Sequence, residues 1–162
     1  MAEFYTKAQI DAIATAIGQR IKALLGGGSG ISILNFHSDA SVNLTLTNQA
    51  ATLQSLGNSN RNESYFDATG FTQVRLAARV VTASASTASP RLRIEYFNGS
   101  AWVIVGSDSG GDVISLGSAA AKRTNWIALP EAARADVIWR IAQIGGDAVA
   151  DPAIGNTSLQ FR

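Results

Sequence analysis

The residues able to do acid–base work are few. The single histidine, His37, has Asp39 two positions on. An imidazole beside a carboxylate is half of a general-base arrangement. No serine, however, sits in the strand-to-helix elbow of a G-x-S-x-G motif that such a base would activate, and His37 reads as a surface residue at a strand end. There is no cysteine, which removes disulfides, thiolate metal sites and a thiol nucleophile. Asp108, Asp112, Asp147 and Asp151 lie in the Gly-rich stretches SDSGGD and GGDAVAD. Oxygen ligands on loops suit calcium, but the spacing fits neither an EF-hand nor a calcium-binding β-roll, and Asp and Gly are also what ordinary turns require. The glycines at 26–30 and 110–111 match neither phosphate-binding pattern. Glu63, Asp67 and Glu95 are too scattered in sequence to pair as acid and base. No catalytic residue, metal site or cofactor is assigned, and the chain reads as a non-enzyme.

The residues able to bind are more numerous. Trp102, Trp126 and Trp139, with Tyr65 and Tyr96, offer ring faces of the kind that stack on sugars. Trp102 and Tyr96 fall on the apolar side of their segments and are expected in the core. Trp126, flanked by Asn125 and close to Lys122 and Arg123, is the candidate glycan contact. Arg75, Arg79, Arg91 and Arg93 alternate with apolar residues, so they line either a solvated face or a contact surface for a neighbouring subunit. A formal net charge of +1 supplies no field to gather nucleic acid or anionic lipid, so neither is expected as a partner. No stretch reaches the roughly 18 apolar residues of a membrane span. The apolar positions of the first segment are periodic and interrupted by Glu3, Asp11 and Arg20, unlike a secretory signal.

Two kinds of element must position these groups. Over residues 6–25, Ile10, Ile13, Ile17, Ile21 and Leu24 recur at steps of three and four, a mean near 3.5, the period of a helix packing along a seam. Thr6 and Gln9 form a capping-box pair, and Tyr5 and Ile10 have the spacing of a hydrophobic staple. Lys22 suits the C-terminal end of the helix dipole, Gly26 is a natural C′ residue, and Gly18 costs the helix about 1 kcal/mol relative to alanine. So short a helix is marginal alone in water, and its apolar stripe needs a partner. Isoleucine at successive seam positions favours more than two chains, which predicts a trimeric helical bundle.

Beyond the Gly-rich run Gly26–Gly30 the apolar period changes to two. Ile31 and Ile33, then Val42, Leu44 and Leu46, alternate with polar residues. From Phe71 to Thr82, Val74, Leu76, Ala78 and Val80 face one way and Gln73, Arg75, Ala77 and Arg79 the other, as in a half-buried strand. In RLRIEYFNGSAWVIVG (91–106), Asn98-Gly99 separates two alternating runs, a strong hairpin signal because both residues tolerate positive φ. Further strands are expected at 113–116, 125–129, 137–144 and 157–161, with a short helical turn after Pro130. Many short strands with frequent turns predict a mainly β protein, an antiparallel β-sandwich or jelly-roll. The expected organisation is an oligomerisation or attachment helix (1–25), a Gly-rich linker (26–30) and a β-sandwich domain (31–162).

The opening FYTKAQIDAIATAI resembles the start of bacteriophage head-fibre and tail-fibre proteins, through Tyr5, Thr6, Lys7, Ala8, Ile10, Asp11 and Ala12. The hairpin YFNGSAW is similar to turns in phage appendage and decoration domains. The N-terminal match covers under a tenth of the chain, and the resemblance brings no catalytic residue with it. It implies a virion structural protein, a surface fibre or capsid decoration protein assembled in the host cytoplasm and held on the virion by capsid or tail proteins. The alternative it leaves open is a carbohydrate- or receptor-binding module of a tail or baseplate that touches a host surface glycan.

Overall fold

A computed structural model describes residues 31–37, 42–43, 63–146 and 152–162. The expected helix and linker, with Ile10, Ile13, Ile17, Ile21 and Leu24, lie outside the described residues. What is described is mainly β. The strands are β1 (Ser32–His37), β2 (Val42–Asn43), β3 (Glu63–Asp67), β4 (Gln73–Thr82), β5 (Arg91–Phe97), β6 (Trp102–Ile104), β7 (Ile114–Ser115), β8 (Ala120–Arg123), β9 (Ile127–Ala128), β10 (Asp136–Ile144) and β11 (Ala153–Phe161). Two 3₁₀ turns, Gly110–Asp112 and Glu131–Ala133, are the helical elements among the described residues.

All the ladders are antiparallel, and they make two sheets. In the first the order is β1-β11-β4-β8, with β2 also on β11 and β9 also on β4. In the second it is β3-β10-β5-β6, with β7 also on β5. The inner faces follow from the period-two pattern. Val74, Leu76, Ala78 and Val80 of β4 are buried, while Gln73, Arg75, Ala77 and Arg79 are exposed or half-buried. Leu92, Ile94 and Tyr96 of β5 face the same core.

Aromatic packing joins the layers. Phe66 of β3 stacks on Phe161 of β11 at 4.4 Å between centroids, and Trp139 of β10 meets Phe161 edge-on at 5.1 Å. Trp139 is fully buried, and its indole N–H donates to the Phe66 carbonyl at 3.2 Å, so the largest core side chain leaves no donor unpaired.

The 91–106 hairpin departs from the expected turn. Phe97 pairs with Trp102 and Tyr96 with Val103, so the loop has four residues, Asn98–Ala101. Gly99 has φ +96°, whereas Asn98 stays at negative φ and works through its side chain. Its Oδ1 accepts from the Ser100 and Ala101 amides at 3.0 and 2.9 Å, a side-chain cap that competes with the two-residue turn. Tyr96 faces the core, so Val103 does too, and Trp102 lies outside.

Candidate functional site

The outer faces of the two sheets hold the polar chemistry, and they differ. On the second sheet a charge network runs across β10, β5 and the loop after β6. Glu95 is 1% exposed. Its Oε2 accepts from the Nε and Nη2 of Arg140, each at 2.6 Å, and its Oε1 accepts from Arg93 Nε at 2.7 Å. Arg93 also reaches Asp108 Oδ2 at 3.3 Å, which Arg91 Nη2 meets at 2.9 Å. The Arg140 guanidinium lies 3.8 Å from the Trp102 ring centroid, a cation–π contact that shields the pair from water. Both oxygens of Glu95 are held by guanidiniums. The register places Arg140 opposite Glu95; a separation of 45 residues hides this pairing in the sequence.

Beside this network the register lines up Tyr65, Ile138, Phe97 and Trp102 across β3, β10, β5 and β6. Tyr65 is 72% exposed, and Phe97 and Trp102 pack at 5.4 Å with tilted rings. An open depression of about 360 Å³ lies against Tyr65, Phe97, Asn98, Asp136 and Ile138. Of the five aromatic residues singled out for sugar stacking, Trp139 and Tyr96 are core, while Trp102 and Tyr65 share this outer row. Trp102, expected in the core with Tyr96, lies outside because it pairs with Phe97, which shares the outer face of β5 with Glu95.

Trp126 belongs to the opposite surface. Between β8 and β9 the chain bulges at Thr124, whose amide donates to the Leu76 carbonyl at 2.9 Å and whose Oγ1 accepts the Leu76 amide at 3.0 Å. Ile127 then faces the core opposite Val74, so Trp126 projects over the outer face of the first sheet. Its ring lies 4.4 Å from the Arg75 guanidinium and 4.3 Å from that of Arg162. Arg75 Nε donates to Gln160 Oε1 at 2.7 Å, and Arg162 Nε to Gln73 Oε1 at 2.7 Å. Partial burial, then the neighbouring positive charges of Arg123 and Arg162, lower the pKa of Arg75 from its ordinary value.

The four arginines read as one class therefore separate. Arg91 and Arg93 are ion-paired on the second sheet, while Arg75 and Arg79 stand on the first. The aspartates of the Gly-rich loops separate as well. Asp108 is ion-paired, and Asp112 Oδ2 accepts from the Ser107 amide and hydroxyl at 2.9 and 3.1 Å. Asp147, Asp151 and Asp39 lie outside the described residues. Among those described, no group of three His, Asp or Glu side chains is arranged to hold a metal. No protein-family model matches the sequence, and comparison with curated proteins finds no significant relative.

Proposed function

We propose that this chain is a non-enzymatic virion structural protein, a surface fibre or capsid decoration protein. Its two sheets form a β-sandwich held outward, and residues 6–25 form the helix that oligomerises or attaches it. The observation that carries the reading is the joining of two unlike parts. A seam of Ile10, Ile13, Ile17, Ile21 and Leu24 is separated by Gly26–Gly30 from a β module whose buried carboxylate, Glu95, is held by arginines. Such a seam is covered by copies of itself or by a groove on capsid or tail protein.

Light scattering on the purified full chain tests it. The expected result is a trimer that Ile13→Asp with Ile17→Asp converts to monomers, with the far-ultraviolet circular dichroism of the β module unchanged. Wild type that is monomeric and does not bind particles, or a double variant that assembles and docks normally, refutes the reading.

A second reading, a carbohydrate- or receptor-binding module, is favoured by the row Tyr65–Ile138–Phe97–Trp102 and the 72% exposure of Tyr65, a flat apolar surface beside polar groups of the kind sugars stack on. A glycan array with wild type, Tyr65→Ala and Trp126→Ala tests it, and absence of binding by wild type removes it.

A further inference from the structure

The strands of the first sheet, β1, β2, β4, β8, β9 and β11, contain neither Asp nor Glu. Its outer face nevertheless carries Arg75, Arg79 and Arg123, with Arg162 just past the end of β11. The register sets these in three rows across the sheet. Gln160 lies opposite Arg75, Ser158 opposite Ala77 and Ala77 opposite Arg123, and Arg79 lies opposite Ala121. Alternate residues on a strand are about 7 Å apart, so the three rows extend over about 14 Å. Arg79 and Arg123 are exposed, and their side chains make no hydrogen bond or ion pair with described residues, whereas Arg91, Arg93 and Arg140 on the other sheet are all ion-paired. An open groove of about 520 Å³ runs over this face. Its floor is the small side chains of Ala77, Ala121 and Ser158, and Asn156 and Gln160 add amide donors and acceptors.

We infer that this face binds a carboxylate-bearing polysaccharide, lying across the three rows with its anionic groups on Arg75, Arg123 and Arg79. The inference deepens the receptor-binding reading by giving the ligand a charge and a second face on which to bind. Guanidinium forks match planar carboxylates in pairs of hydrogen bonds, and rows this far apart call for charges repeated along a chain rather than one small anion. Amide and hydroxyl groups between the cations answer sugar hydroxyls. An extended peptide fits less well, because the groove lies over the face of β11, β4 and the edge strand β8 rather than alongside that edge, so most of the peptide's own N–H and C=O groups would go unpaired. Nucleic acid is disfavoured by the net charge of +1, since its affinity comes from many released counterions. Trp126 has a positioning role, holding Arg75 and Arg162 extended through its ring.

The test is affinity electrophoresis of the full chain in gels containing alginate, neutral dextran, dextran sulfate, polyglutamate or duplex DNA. Wild type is expected to be retarded by alginate more than by any other polymer. The retardation should weaken by about tenfold between low salt and roughly 0.3 M salt as screening shortens the range of the charges. Arg79→Glu with Arg123→Glu should abolish it while leaving circular dichroism unchanged, because neither side chain is tied to the fold. Tyr65→Ala should leave it intact. Equal retardation by neutral dextran, stronger retardation by dextran sulfate, polyglutamate or DNA, or an unaffected double variant overturns the inference. Neutral-glycan binding lost in Tyr65→Ala alone also overturns it, while leaving the receptor-binding reading in place on the other sheet.

Discussion

Glu95→Gln should destabilise the β module far more than a polar residue on the outer face of a sheet ordinarily does. The amide keeps the shape of the side chain and removes its charge, leaving two guanidiniums beside a neutral group. Breaking a buried ion pair by neutralising one partner costs about 3–5 kcal/mol, mostly because the other charge stays desolvated. The two arginines are not equally exposed to that loss. Arg93 retains Asp108 at 3.3 Å. Arg140, 9% exposed, has Glu95 as its one ion-pair partner among the described residues and keeps only the Trp102 ring. The lower end of the range applies, about 3 kcal/mol, equivalent to roughly 10 °C in Tm for a domain of this size. Urea unfolding followed by tryptophan fluorescence gives the midpoint and slope. A companion variant separates charge from packing. Glu95→Leu combined with Arg140→Met removes both charges and should lie within about 1 kcal/mol of wild type, as apolar replacements of buried pairs commonly do. A loss below about 1 kcal/mol in Glu95→Gln, or a companion as unstable as the single variant, refutes the claim that uncompensated charge sets the cost.

Gly106→Ala should lose about 1–3 kcal/mol by thermal melting, since residues other than glycine are strained at left-handed backbone angles; Gly106 has φ +82°, and a Cβ there would meet Asp112 Oδ2 and Ile127 Cγ2 at 2.7 Å. Asn98→Ala removes the acceptor that closes the β5–β6 loop and should cost about 1 kcal/mol by urea unfolding, the usual net worth of such hydrogen bonds. Arg123→Ala should leave Tm unchanged or slightly raised, within about 0.5 kcal/mol, because an exposed like charge beside Arg75 is removed and no contact is lost.

The parts of the fold legible in the sequence are those where one strand's own alternation decides its faces. Residues 74–80 of β4 show it, with every second side chain buried. The hairpin shows the limit. An Asn-Gly pair marks that a turn occurs but not its length, and the Asn98 side-chain cap makes it four residues long. That difference in length does not exchange faces, because loops of two and four residues both set Trp102 on the side of Glu95 and Phe97. Residues 102–105 are apolar throughout, so their own pattern cannot choose a face and only the pairing with β5 does. Strand β8 (Ala120–Arg123) has no apolar alternation to read; it is a strand because it pairs with β4 at Ala77–Val80. Its Lys122 leans out to the Ser115 carbonyl and the Ser118 hydroxyl, as long charged side chains do when their stems are covered. The burial of Glu95 was equally invisible, since nothing local distinguishes a solvated Arg-x-Glu from one that another strand will cover. The seam at residues 10–24 is legible as a pattern but lies outside the described residues.

The contrast between the outer faces bears on what each is for. Where this chain places charge on the second sheet it balances it: three arginines surround Glu95 and Asp108, and an aromatic ring covers the pair that is most buried. On the first sheet it sets arginines beside one another with no acid in any strand, and burial first, then the charges of Arg123 and Arg162, lower the pKa of Arg75. Folding alone does not favour the second arrangement, because like charges at short range repel and any neutral residue would serve a solvated strand face as well. Features that stability does not require are commonly tied to function. The tolerance expected of Arg123→Ala in folding, set against the loss of polysaccharide retention expected of Arg79→Glu with Arg123→Glu, turns that reasoning into a measurement. If removing these charges stabilises the fold and abolishes retention together, the cationic face is maintained for a ligand rather than for the sheet.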